Sequence, residues 1–118
     1  MKESIIESKS FDFAVRIVKL YQYLCEEKNE RVMSKQLLRC GTSVGANVSE
    51  AERGQSKPDF YSKMAIALKE ASETQFWIRL LHATEYLNDK EYSSLNSDIN
   101  EIIAILVAIG NSKEKSDS

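Results

Sequence analysis

Proline occurs once in this chain and glycine four times, so the two residues that most often punctuate regular structure are nearly missing. That scarcity favours long, uninterrupted helices. Cysteine is equally sparse: Cys25 and Cys40 stand singly with no C-x-x-C spacing, which excludes a disulfide framework, fits a reduced cytosolic compartment and marks both as buried structural thiols. Long apolar runs are missing as well. The longest, Ile102 to Ile109, has eight residues, against the roughly 20 needed to cross a bilayer. The stretch Met1 to Ser10 sets Lys2, Glu3, Glu7 and Lys9 around only two consecutive apolar residues, which is not the pattern of a signal peptide. A cytoplasmic protein with no membrane partner is expected.

What is present is ordinary for a globular domain. With 118 residues, 42% hydrophobic and 29% charged, the chain suits one domain over residues 1–118, with a core that needs no metal or disulfide staple. Net charge is −2, but it is unevenly spread. Residues 31–79 hold 8 basic and 5 acidic side chains, while 80–118 hold 3 and 7. Such asymmetry marks either a side that faces a polyanion or a solvated helical surface.

Four segments carry helical periodicity. The first, residues 10–28, opens at Ser10 as N-cap and places Phe11, Ala14, Val18, Tyr21 and Cys25 on an inner face, with Phe13, Ile17, Leu20 and Leu24 as a second stripe. The second, 33–52, turns Met33, Leu37, Gly41, Val44, Val48 and Ala51 inward. Its Gly41 and Gly45 cost about 1 kcal/mol each in helix propensity relative to alanine, and their use is close approach by a neighbouring helix.

Pro58 suits the first turn of a third helix, 58–87, whose inner face is Phe60, Met64, Ala67, Ala71, Gln75, Ile78 and Leu81. Ile66, Trp77 and Leu80 flank it. Asn88 and Glu91 form a capping box for a fourth helix, 89–109, which stops near Gly110 and leaves 111–118 as a frayed tail. Four such helices on short connections predict an all-α, antiparallel, up-down-up-down four-helix bundle. The fourth contains Ile-Ile-Ala-Ile-Leu-Val-Ala-Ile, apolar on every side. Together with the double stripe on the first helix, it predicts more hydrophobic surface than one bundle hides, and hence a homo-oligomer.

Catalytic signatures are scarce. Gly41-Thr-Ser-Val-Gly45 lacks the Gly-Lys-Ser/Thr of a phosphate loop and lies inside a helical pattern. His82 is the only histidine and reads as a core or rim residue. Arg79 stands three residues before it, so there is no Glu-x-x-His pair of the kind that builds di-iron sites in bundles. Catalytic, cofactor and metal residues are therefore assigned as none. Ser43, Asn47, Glu50, Glu70, Glu73 and Trp77 read as a polar network or interface that fixes helix register or subunit contacts, the rival reading being an acid/base or metal cluster around Glu70 and Glu73. Arg31, Lys35 and Arg39 recur every four residues, and Arg53, Lys57 and Lys63 surround the next connection. These six are candidate nucleic-acid contacts, since regularly spaced cations grip phosphates.

The run Gln36-Leu-Leu-Arg-Cys-Gly-Thr-Ser-Val-Gly-Ala-Asn-Val-Ser-Glu50-Ala, followed by Ser56-Lys-Pro-Asp-Phe-Tyr and by Glu70 to Trp77, resembles the bacterial four-helix bundle proteins named after the intervening sequences of 23S ribosomal RNA genes. The likeness runs from about Phe11 to Ile109. The resemblance implies an antiparallel bundle assembled as a homopentamer, similar in fold to the accessory protein of diversity-generating retroelements, which binds reverse transcriptase and nucleic acid through basic surfaces. It carries over Arg39, Ser43, Asn47, Glu50, Glu70 and Glu73 as characteristic polar positions, with no established catalytic role. The mildly acidic balance here departs from the retroelement relatives. The expectation is a non-enzymatic homo-oligomeric scaffold that contacts RNA or an RNA-associated protein through a basic outer face. The alternative is a protein-interaction bundle without nucleic-acid affinity.

Overall fold

The computed structural model describes residues 4–117, with side chains as far as Lys113. Lys2 and Glu3, read above as part of a charged N-terminus, and Ser118 at the end of the tail lie outside the described residues. Four helices follow one another: α1 (Ile5–Glu26), α2 (Met33–Glu52), α3 (Lys57–Ala83) and α4 (Asp89–Asp117). Each packs on the next, and α4 returns to α1 in the sparsest of the four contacts. Cross-helix pairs fix the directions. Gly45 meets Ser10 and Gly41 meets Ile17; Lys63 pairs with Glu50 and Arg39 with Glu73; Tyr61 meets Ser112 and Gln75 meets Asn96; Lys9 pairs with Glu101 and Arg16 with Asp98. In every pair the number rises on one helix as it falls on the other, so neighbours are antiparallel and the bundle runs up-down-up-down.

Local chemistry sets most helix ends. Ser56 accepts the Asp59 N–H at 3.2 Å and Pro58 occupies the first turn of α3, where its missing donor costs nothing. Asn88 and Glu91 exchange reciprocal bonds of 2.8 Å, the capping box that the sequence predicts. Four ends differ from expectation. The α1 N-cap is Ser4, whose hydroxyl accepts from the Glu7 N–H at 3.1 Å. Ser10 is instead buried inside the helix and donates to the Glu7 carbonyl at 3.2 Å; the stretch before it forms an additional helical turn that buries Ile6. The first and third helices end at Glu26 and Ala83 rather than at 28 and 87. Just beyond them Asn29 (φ 53°) and Glu85 (φ 70°) adopt left-handed backbone, which no helix continues through.

The fourth helix does not stop near Gly110. A glycine ends a helix by turning left-handed, and no glycine here has positive φ. Helix α4 accordingly runs on to Asp117, and the segment 111–118, expected to be frayed, is helical as far as it is described.

The core is built from Phe13, Ile17 and Leu24 of α1, Leu37, Val44 and Val48 of α2, Met64, Ala71 and Ile78 of α3, and Ile99, Ile102 and Leu106 of α4, among others. The two stripes of α1 are thus assigned in reverse: Phe13, Ile17 and Leu24 face the core, whereas Phe11 is 65% exposed. Both stripes have helical spacing, and periodicity alone does not say which one meets the partner helices. The choice falls where α2 offers glycine. A Cβ on Gly41 would lie 3.0 Å from the Ile17 side chain, and one on Gly45 would lie 3.1 Å from the Ser10 carbonyl oxygen. The two glycines therefore serve close approach, the role the sequence assigns them.

Candidate functional site

Three side chains on the α2–α3 seam form one connected polar group around Arg39. The Arg39 guanidinium donates to Glu70 at 3.3 Å and also pairs with Glu73, and the Trp77 indole N–H donates to the same Glu73 carboxylate at 3.2 Å. Burial pushes the Glu73 carboxyl up, but the Trp77 and Arg39 donors outweigh it and hold the group below the usual carboxylate range. The guanidinium is correspondingly shifted up, chiefly by its hydrogen bond to Glu73. A carboxylate held ionised in this way is a poor general acid near neutral pH, which weighs against Glu73 as the acid of an acid/base pair. No group of three or more His, Cys, Asp or Glu side chains that could hold a metal ion occurs among the described residues.

The other predicted network members lie on the same seam but not in the same group. Asn47 donates to the Ser43 carbonyl at 2.8 Å, within its own helix. Glu50 pairs separately with Lys63 at 3.0 Å. Positions 39 and 50 on α2 meet positions 70, 73 and 63 on α3, and helical spacing sets 43 and 47 on the stripe between them. The spacing does not identify who bonds to whom.

The six candidate cations do not form one patch. Arg31 and Lys35 stand at the start of α2, while Arg53, Lys57 and Lys63 stand at its far end, about 30 Å away at 1.5 Å per residue. Three are engaged by the chain itself: Arg39 as described, Lys63 with Glu50, and Arg53 with Glu7 at 3.8 Å and with the Ser49 hydroxyl and carbonyl. Among the described residues, Arg31 donates only to the Asn29 side chain, at 3.4 Å. Lys35 and Lys57 are exposed and make no salt bridge with any described side chain.

Other sites were missed because their partners are far apart in sequence or of an unexpected type. Glu30 is buried, and its carboxylate accepts from the backbone N–H groups of Val32 (3.0 Å), Met33 (2.9 Å) and Ser34 (2.7 Å). Burial pushes this carboxyl up, yet the three N–H donors and Ser34 carry it below the ordinary glutamate range. It caps α2, whose own N-cap, Val32, has no side-chain acceptor. On the α1–α4 side, Arg16 donates to Asp98 at 2.7 Å and to Ser94 at 2.6 Å, and Lys9 pairs with Glu101. These charges line a cleft of about 310 Å³.

His82 is a half-exposed rim residue. Its Nε2 lies 2.8 Å from Asp89, and its ring stacks on Tyr92 with centroids 4.1 Å apart. Cys40 is buried, and burial shifts its thiol up, whereas Cys25 is only half-buried, 3.9 Å from the Ser34 hydroxyl. The fourth helix, read as apolar all round, is largely covered by its own chain. Ile99, Ile102 and Leu106 are buried, Ile103, Ile105 and Ile109 are half-buried against the core, and of the large residues only Val107 (42%) is exposed. The large apolar residues left uncovered are mainly elsewhere: Phe11, Val15 and Val18 on α1 and Ile66 and Phe76 on α3. Among the described residues, no helix is long and apolar enough to cross a membrane.

Comparison with known proteins follows the same lines. Residues 2–108 match the family described as 23S rRNA-intervening sequence protein. The chain is also similar to a crystal structure of a protein of unknown function from the S23 ribosomal protein family of Bacteroides thetaiotaomicron, with 53% identity, a TM-score of 0.88, and coverage of 90% of this chain and 98% of that one. No curated protein matches.

Proposed function

The chain belongs to the 23S rRNA-intervening sequence protein family, and from that premise we propose that it is a non-enzymatic, cytoplasmic, homo-oligomeric helical scaffold that works through its outer faces. One observation carries this reading. Phe11, Val15 and Val18 are 65%, 41% and 39% exposed, and their spacing of four and three residues sets them in one stripe on the outside of α1. Contiguous apolar stripes of this kind are costly on a solitary protein and mark association surfaces. A second copy of the chain is the partner proposed, in a closed ring such as the pentamer that the family resemblance implies. Sedimentation velocity at micromolar concentration tests it: a species several times 13.4 kDa supports the scaffold, and a 13.4 kDa species rejects it.

RNA contact is the second reading. It is favoured by the exposed cations Arg31, Lys35 and Lys57, which have no carboxylate within salt-bridge distance among the described residues, and by a family description that refers to 23S rRNA. Against a broad basic face stands the internal pairing of Arg39, Arg53 and Lys63. A filter-binding titration with structured RNA at two salt concentrations decides between RNA and a protein-only partner. Affinity that falls steeply with salt supports RNA contact, because released counterions drive phosphate binding. Absent or salt-insensitive binding leaves a protein-interaction bundle.

A further inference from the structure

The α3–α4 seam has a different chemistry from the other three contacts. It carries two clefts of about 350 Å³ each, one near Tyr61, Leu68 and Gly110 and one lined by Phe76, Arg79, Leu80, His82, Ala83 and Tyr92. Between them Gln75 reaches across to the side-chain oxygens of Asn96 at 3.2 Å and Asn100 at 2.5 Å. Along the middle of this seam the bonds that cross are neutral, and its one charged contact among the described residues, His82 with Asp89, stands at the end. The α2–α3 and α1–α4 seams are instead crossed by ion pairs.

The second cleft holds groups that the bundle does not need for its own packing. Phe76 is 52% exposed, held edge-on by Trp77 at 5.1 Å between centroids. Across the cleft the Tyr92 ring is already one layer of a parallel stack with His82. Arg79 is exposed and, among the described residues, has no carboxylate within salt-bridge distance. Asp89, the nearby acid, is taken by His82, and no carboxylate lines the cleft. An exposed ring, a preformed stack, a free guanidinium and a row of amides are the parts with which proteins hold an unpaired base and its phosphate.

We propose that the α3–α4 seam binds single-stranded RNA, with one unpaired base stacked on Phe76 beside the His82–Tyr92 pair and Arg79 on the adjoining phosphate. Gln75, Asn96 and Asn100 face the next base, where their amides offer donors and acceptors to its edge. This goes beyond the RNA reading above, which rests on the outer cations of α2, and the two fail separately.

The test uses the full chain and a fluorescein-labelled uridine-rich strand of about ten nucleotides, within the usual site size for such grooves. Binding is expected, and Phe76→Ala should weaken it at least about fivefold, the lower end of base–aromatic stacking. Arg79→Gln should lower the salt slope by about 0.7, the value of one phosphate contact on a single strand. Both side chains are exposed, so circular dichroism should be unchanged. A strand carrying 2-aminopurine should lose fluorescence on binding the parent chain and keep it with Phe76→Ala. Arg31→Ala combined with Lys35→Ala should leave the affinity unchanged. The proposal is overturned if the strand does not bind, if Phe76→Ala binds it as the parent does, or if only the Arg31 and Lys35 variant loses it. That last outcome would return the site to the α2 face.

Discussion

Helix α1 meets its two neighbours in opposite ways. Toward α2 it approaches so closely that glycine is required at two positions, with Ile17 and the Ser10 carbonyl filling the space a Cβ would take. Toward α4 it stays apart, and the contact consists largely of Lys9, Arg16, Asp98, Glu101 and Ser94 around an open cleft. The first contact is apolar, short-range and intolerant of added volume; the second is polar, solvent-screened and adjustable. Stability should therefore reside in α1–α2–α3 and in the docking of α4 on α3, while the α1–α4 edge is the place where the bundle can open. The same helix leaves its outer stripe uncovered, so its packing face and its proposed association face are distinct.

The difference can be attacked from its strongest side first. Ile17→Ala removes a fully buried side chain from the close contact and should cost about 2–5 kcal/mol, measured by urea unfolding; a loss below about 1 kcal/mol would mean that α1 is not tightly seated. Gly41→Leu forces new atoms against Ile17 and should cost about 1–3 kcal/mol through overpacking, so an unchanged Tm contradicts the close approach. Glu30→Ala exposes three helix-end N–H groups to a buried site without an acceptor and should cost about 1–3 kcal/mol.

The pH dependence of that last effect has a definite sign. The Glu30 carboxyl is held below its ordinary value in the folded chain, so its contribution is complete above the unfolded glutamate pKa of about 4.3. It is lost as pH falls through the lowered folded value. The parent and Glu30→Gln chains should accordingly converge in stability at low pH and diverge toward neutrality. A difference that grows on acidification would contradict the capping role. At the other edge, Arg16→Ala breaks one half-exposed and one exposed contact and should cost no more than about 1 kcal/mol, fading with added salt. A larger, salt-independent loss would make the two edges of α1 alike.

What was legible in the sequence divides along the same line. The bundle, the capping box at Asn88 and Glu91, the Pro58 start and the purpose of Gly41 and Gly45 are local signals, each decided within a few residues of chain. The reversed stripes of α1 were not legible, because Phe11 and Phe13 belong to stripes with the same spacing, and only the position of α2 chooses between them. Glu30 escaped because a buried carboxylate two residues before an N-cap is not among the usual cap patterns. The Arg16–Asp98 bond joins residues 82 apart and carries no periodic trace. For the candidate site, residue spacing gave the shared face of Arg39, Glu70, Glu73 and Trp77, but not the internal pairing that neutralises half of the expected cations. The extension of α4 past Gly110 shows a limit of a different kind: glycine permits a helix stop without enforcing one.

The central claim is that the bare stripe of α1 is where copies of this chain meet. Light scattering of Phe11→Asp combined with Val15→Asp, beside the parent chain at equal concentration, tests it most directly. The parent should scatter as an assembly and the variant as a folded 13.4 kDa species. A parent that already scatters as a 13.4 kDa species, or a variant that keeps the parent's mass, would contradict it.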